Sequence, residues 1–114
     1  MSNCLFCKIV RKEIPAKVVF EDGLVLAFED INPKAPTHVL VIPKKHVESL
    51  EDVGWEDRQW LGHLVMVARD LGCQMGHRRT GYRTVINTGS DAGQSVFHVH
   101  LHLLGGRKMD WPPG

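Results

Sequence analysis

Three of the chain's seven histidines fall inside five residues, alternating with apolar side chains in the run His98-Val-His-Leu-His102. Imidazole ordinarily titrates at a pKa of roughly 6.5, so near neutral pH it can serve as nucleophile, acid–base group or metal ligand. On an extended strand alternate side chains share a face. His98, His100 and His102 then line one surface, while Phe97, Val99, Leu101 and Leu103 point into a core on the other. Same-face neighbours lie roughly 6.6–7 Å apart and the outer pair about 13 Å, so one metal ion can take two neighbours of the row but not all three. Three readings stay open on this spacing: a solvated row, a mononuclear metal site using two rings, or a histidine acting on substrate while its neighbours hold an anion. The residues just ahead favour the third. Gly89, Gly93, Gln94 and Ser95 offer backbone N–H groups and a hydroxyl beside the row, a setting suited to phosphate.

A second cluster of potential ligands stands near the start of the chain. Cys4 and Cys7 place two thiols one helical turn apart, as a zinc site requires and as two reduced cysteines under a helix would also have them. With Cys73 the count is three, an odd number that does not suggest a disulfide framework. Cys73 itself falls in a helical pattern and reads as a small buried hydrophobe.

The elements that must position these groups are legible in outline. The chain has 114 residues, 43% of them hydrophobic and 24% charged, the balance of one globular domain spanning 1–114. Its net charge of +1 argues against an extended nucleic-acid surface, which needs many uncompensated cations. No apolar run approaches the roughly 20 residues that span a bilayer, and the first residues lack the pattern of a signal peptide, so a cytoplasmic protein with no membrane partner is expected. Asn3 can cap a short helix over residues 4–12, which Pro15 stops. Strands follow over 17–21 and 24–29, joined around Asp22-Gly23, then a proline-bearing loop from Asp30 and a third strand over 37–43. Trp60, Leu61, Leu64, Val67, Ala68 and Leu71 recur at helical spacing and predict one long amphipathic helix from Glu56 to Cys73. A fourth strand over 82–88, the loop 89–95, a fifth strand over 96–104 and an irregular tail complete an α+β arrangement of five mostly antiparallel strands with one long and one short helix. His63 and His77 read as surface or helix-end residues, and Lys44 and Lys45 as a solvated pair.

The segment Gly93-Gln-Ser-Val-Phe-His-Val-His-Leu-His-Leu-Leu-Gly-Gly-Arg closely resembles the signature of the histidine triad (HIT) family. Asp30-Ile-Asn-Pro-Lys-Ala-Pro-Thr-His-Val-Leu-Val-Ile-Pro-Lys-Lys-His and the ending Trp111-Pro-Pro-Gly resemble its Hint branch, so that the likeness runs from Cys4 to Gly114. The resemblance implies a HIT-like fold joined across a homodimer. It also implies hydrolysis of the P–N bond of purine nucleoside phosphoramidates through a nucleotidylated histidine, releasing the nucleoside monophosphate. By the same resemblance His100 is the nucleophile, Ser95 the hydroxyl near the leaving nitrogen, and His102 with the Gly93, Gln94 and Ser95 backbone the phosphate-holding groups. Asn87 matches a polar position beside the phosphates and Asp30 the carboxylate that binds the ribose. Leu5, Phe6, Ile9, Phe28 and Ile31 match the apolar purine pocket, and Trp111 the tail residue that reaches a neighbouring site and helps choose the leaving group. His38 matches a histidine near the triad whose role stays open.

The chemistry itself asks for no divalent metal. A neutral imidazole attacks phosphorus, and donors from the loop, Ser95 and a protonated His102 stabilise the charge that develops. In some histidine triad relatives Cys4, Cys7, His46 and His98 correspond to a closed structural zinc site, which would leave His100 free; other members lack the cysteines. A histidine at the third triad position, rather than the glutamine of related nucleotidyltransferases, favours hydrolysis. The alternatives are a dinucleoside polyphosphate hydrolase, a nucleotide-binding regulatory protein with incidental hydrolysis, and a zinc-dependent hydrolase using the triad as ligands.

Overall fold

The computed structural model describes residues 3–114. In chain order it contains α1 (Leu5–Val10), β1 (Val18–Glu21), β2 (Val25–Glu29), β3 (Thr37–Pro43), α2 (Arg58–Gln74), β4 (Tyr82–Val85) and β5 (Leu101–Gly105), with short 3-10 turns at Leu50–Asp52 and Trp55–Asp57 leading into α2. The five strands form one sheet in the order β1-β2-β3-β5-β4, every neighbouring pair antiparallel. No helix among the described residues is long and apolar enough to cross a membrane.

Strand parity divides the sheet into two apolar faces. Val39 and Val41 of β3 and Leu101 and Leu103 of β5 pack with Trp60, Leu64, Val67, Ala68 and Leu71 of α2 into the larger core. Leu26 and Phe28 of β2 and Leu40 and Ile42 of β3 face the other way, against Phe6 and Ile9 of α1. The register sets Phe28 opposite Leu40, and Leu40 opposite His102. His102 therefore emerges on the α1 face, where its residue parity requires.

Several expectations are corrected. The triad does not lie on one strand: β5 begins only at Leu101, and the segment before it is tied down by a hydrogen bond from the Val99 N–H to the Val47 carbonyl at 2.8 Å. Alternation of faces nevertheless continues through it: Val99, Leu101 and Leu103 join the core under α2, while His98 and His100 meet Phe6 of α1. His98, Val99 and His100 are buried in succession, while Phe97, expected in the core, is 50% exposed. The cap of α1 is Cys4 rather than Asn3, its Sγ accepting from the Cys7 N–H at 3.4 Å. Cys73 is exposed. His77 is buried, its ring bonded to Thr37 Oγ1 at 2.7 Å. A Cβ at Gly105 would lie 2.7 Å from the His77 ring, so the end of β5 needs glycine there to let the histidine close over it. His63 is paired with Asp22 of the β1–β2 turn at 2.6 Å. Lys44 reaches Glu21 at 2.8 Å and Lys45 reaches Asp57 at 2.6 Å, so neither is a merely solvated cation.

Asp57 is the polar keystone of the α2 entrance. Its carboxylate accepts from Lys45 Nζ at 2.6 Å, from Trp60 Nε1 at 2.8 Å and from the Gly54 N–H at 3.0 Å. The Lys45 ammonium first, then the Gly54 N–H and the Trp60 indole, hold its pKa down to about 2 from an ordinary 3.8, against the opposing effect of burial. A depressed carboxyl pKa stabilises the fold at pH values above the unfolded pKa and loses that contribution as pH falls towards the folded one. Asp57→Asn is expected to lower the melting temperature near neutral pH. That deficit should shrink as pH falls from 3.8 towards 2, which thermal melts of both proteins across that range would check; a deficit constant with pH would contradict it.

Candidate active site

Between α1 and the sheet lies a cleft of roughly 260 Å³ lined by Leu5, Phe6, Ile9, Phe28, Ile31 and Leu40 on its apolar side and by Asp30, Ser95, His100 and His102 on its polar side. The apolar wall comes from α1 and the strands beneath it. Phe6 stands edge-on to Phe28 at 5.5 Å and to His100 at 5.1 Å between ring centroids. Such perpendicular ring contacts orient the imidazole as well as burying it. Ile31 is 97% exposed and forms the rim of the cleft.

Hydrogen bonding fixes the proton on each ring. The Lys34 N–H donates to His38 Nδ1 at 3.0 Å, so the His38 proton resides on Nε2. That Nε2–H lies 2.9 Å from His102 Nδ1 and 3.4 Å from Asp30 Oδ2. Donation to His102 leaves its own proton on Nε2, available to a ligand. His100 Nδ1–H donates to the His98 carbonyl at 2.8 Å, leaving Nε2 with a bare lone pair. The Asp30 carboxylate is held at the β2 exit by the Asn32 N–H at 2.8 Å.

Burial dominates the titration of these rings. Desolvation lowers the pKa of His100, opposed by its bond to the His98 carbonyl and by Asp30. His102 is lowered to about 4, by burial first and then by the neighbouring His100 and His38 rings, with Asp30 opposing. His38 is also lowered, chiefly by burial. All three are neutral at pH 7. The expectation of a protonated His102 is therefore corrected: it is a neutral Nε2–H donor.

The loop ahead of the triad also departs from expectation. The Gly93 N–H is spent on the Ser90 carbonyl at 3.0 Å and the Gln94 N–H on the Gly89 carbonyl at 3.1 Å. The Gln94 side chain, buried, bonds the Glu48 and Val96 carbonyls at 2.7 and 3.1 Å and accepts from the Gly89 N–H at 2.9 Å. Gln94 thus braces the loop, and Ser95 is the residue that follows it into the lining of the cleft. Gly93, two residues before Ser95, takes a φ of +87°, a left-handed conformation that favours glycine. Asn87 is half-buried beyond β4 and does not line the cleft. Nor does Trp111, which is 81% exposed on the tail. His38 is the residue whose role the resemblance left open; in β3 it shares parity with Leu40 and Ile42, a signal that could have placed it on the α1 face.

Cys4, Cys7, His46 and His98 form a second constellation at the N-terminus of α1, their ligand atoms all within 4.8 Å of one another. His98 Nε2–H donates to the Pro43 carbonyl at 2.8 Å, so Nδ1 turns its lone pair inward. Nδ1 lies 3.4 Å from Cys4 Sγ, 3.5 Å from Cys7 Sγ and 3.2 Å from His46 Nδ1, and His46 Nδ1 lies 3.1 Å from Cys7 Sγ. Tetrahedral zinc with bonds of about 2.3 Å to sulfur and 2.0 Å to nitrogen places such atoms about 3.3–3.8 Å apart; the two distances involving His46 fall a few tenths of an ångström short of that, so the donor set suits zinc with a small outward shift of the His46 ring. Asp30, His38 and His102 also converge, but the 2.9 Å between the two rings is a hydrogen-bond distance rather than that of two ligands on one ion.

A model of the HIT domain family matches residues 11–109. Over 105 residues the chain is 47% identical to the purine nucleoside phosphoramidase of Escherichia coli, covering 92% of this chain and 88% of that one. It is 52% identical over 115 residues to a 14 kDa zinc-binding protein of Zea mays, covering 99% and 89% of the two chains. The crystal structure of a HIT family hydrolase from Legionella pneumophila superposes with a TM-score of 0.97 at 55% identity, covering 98% of this chain and all 100% of the other.

The ring assignments are open to direct measurement. Nitrogen-15 NMR of the histidine side chains at pH 7 should show His102 neutral with its proton on Nε2, titrating near pH 4. In His38→Ala that tautomer preference should be lost; a His102 already protonated at pH 6 would contradict the assignment.

Proposed function

The chain belongs to the histidine triad (HIT) domain family, and from that membership and the geometry of the cleft we propose that it is a hydrolase cleaving the P–N bond of purine nucleoside phosphoramidates. The reading rests above all on His100: its Nδ1–H is committed to the His98 carbonyl at 2.8 Å, which leaves Nε2 as an unprotonated nucleophile in a cleft shared with Asp30, Ser95 and His102. The purine packs among Leu5, Phe6, Ile9, Phe28 and Ile31, and Asp30 accepts from the ribose hydroxyls. His100 Nε2 attacks the α-phosphorus. The N–P bond forms as the P–N bond to the amine breaks, and the departing nitrogen takes a proton through the exposed Ser95 hydroxyl, replenished from solvent. His102 Nε2–H and the Ser95 N–H donate to the phosphoryl oxygens as charge spreads over them. The nucleotidylated ring is cationic, and the His98 carbonyl facing its Nδ1–H stabilises it. Water then displaces the histidine, giving the nucleoside monophosphate and the free enzyme.

Cys4, Cys7, His46 and His98 would hold zinc as a closed four-ligand site. There it would serve as a structural cross-link between α1, the end of β3 and the segment entering the triad, leaving His100 outside the coordination sphere. β4, an edge strand with one side unpaired, supports association into a homodimer that would bring the Trp111 tail towards a neighbouring cleft.

Three experiments test this reading. With an adenosine phosphoramidate, intact-mass analysis should find a nucleotidyl adduct on the native chain and none on His100→Ala, which loses turnover yet keeps nucleotide binding and its melting temperature. Turnover surviving in His100→Ala would remove the nucleophile. In an equilibrium titration with adenosine monophosphate, Asp30→Ala should weaken binding by about 1.5–3 kcal/mol, the range for a lost charge-assisted hydrogen bond. Native mass spectrometry of protein purified without added metal should find a dimer of the 12.8 kDa chain carrying one zinc per subunit. A zinc-free species would leave the cysteines as ordinary thiols, and a monomer would remove the partner's tail from the site.

A further inference from the structure

A second cleft of roughly 380 Å³ opens on the far side of Ser95, lined by Cys4, Leu5, His46, Glu48, Val96 and Phe97 as well as Ser95 itself. It shares Leu5, Ser95 and Val96 with the first cleft, while His100, His102 and Asp30 line only the first. The two are thus neighbouring compartments separated by Ser95. Displacement at phosphorus proceeds roughly in line, with attacking and leaving atoms on opposite sides. With His100 in the first compartment and Ser95 protonating the leaving nitrogen, the substituent on that nitrogen passes over Ser95 into the second.

The chemistry of this compartment is specific. Phe97 is 50% exposed, displaced from the core because the segment before β5 leaves the ladder, and so presents an aromatic surface to whatever enters. Glu48 is exposed, and among the described residues no hydrogen bond or ion pair engages its carboxylate. Its backbone, by contrast, is fixed: the Glu48 carbonyl accepts from Gln94 Nε2 at 2.7 Å, coupling it to the loop that carries Ser95. The nearby lysines do not neutralise it, since Lys44 is paired with Glu21 and Lys45 with Asp57. An aromatic wall beside an unpaired carboxylate suits a carbon chain ending in a cation.

We propose that this second cleft is the leaving-group subsite and that Glu48 selects amines whose carbon chain carries a second, positively charged nitrogen. This deepens the phosphoramidase reading and rests on it. The substrates to compare are adenosine phosphoramidates of 1,4-diaminobutane and of 1-aminopentane, which have nearly the same shape but end in ammonium and methyl. The wild-type chain should favour the diamine derivative in kcat/KM by about three- to fivefold, the range of one solvent-exposed charge pair, and added salt should erode that preference. Glu48→Gln should bring the ratio close to one while leaving turnover of the aminopentane derivative and of unsubstituted adenosine phosphoramidate unchanged. Turnover of both derivatives without a preference, or a preference untouched by Glu48→Gln, would overturn the subsite assignment and leave the phosphoramidase reading standing. Failure to turn over any of the three compounds would overturn that parent reading and the subsite with it.

Discussion

The register of β3 against β5 is the constraint on which the rest of the molecule depends. With Leu40 opposite His102 and Val39 opposite Leu103, one set of side chains from each strand enters the core under α2 and the other set faces α1. A slip of one residue would drive His102 into an apolar core without a partner and turn Leu103 out into the cleft. The register also sets His38 and His102 as diagonal neighbours, close enough for a ring-to-ring hydrogen bond. Core packing and the protonation pattern of the cleft are therefore two consequences of the same alignment.

Burial then determines what kind of chemistry the histidines can do. Taken out of water, each imidazole disfavours its charged form, and each retains a directional hydrogen bond to a backbone group or to another ring. The result is a set of neutral rings whose protons have assigned places. His100 is left with a lone pair and His102 with an N–H. A cluster of cations would bind an anion more strongly in its ground state but would offer no nucleophile.

The short helix α1 links this cleft to the cysteine–histidine constellation. Phe6 and Ile9 supply apolar wall to the cleft, while Cys4 and Cys7, on the same turn, face His46 and His98. The Phe6 ring touches both His98 and His100. Displacement of α1 would disturb the apolar wall of the cleft, the thiols and the orientation of the triad together. Six helical residues thus connect the apolar wall of the cleft to the alignment of the His100 ring.

Much of this was legible from residue types and spacing. Helical periodicity marked α2, Asp22-Gly23 marked the first hairpin, and prolines and glycine-bearing turns bounded the strands; these are local signals, written in propensity and period. The histidine run, the glycine-bearing loop and the paired thiols announced phosphate or metal chemistry for the same reason. What spacing could not supply was the break in the ladder before Leu101, because pairing partners lie far along the chain and decide where a β-prone run stops being a strand. That break is why Phe97 faces solvent and Val99 bonds to Val47. Nor could it supply proton positions: the Lys34 N–H on His38 and the His98 carbonyl on His100 depend on turns whose geometry exists only in the folded chain. Residue identity determined which groups were able to react. Burial and long-range hydrogen bonding decided which of them holds a proton and which holds a lone pair, because both arise only when distant segments exclude water from the same few atoms.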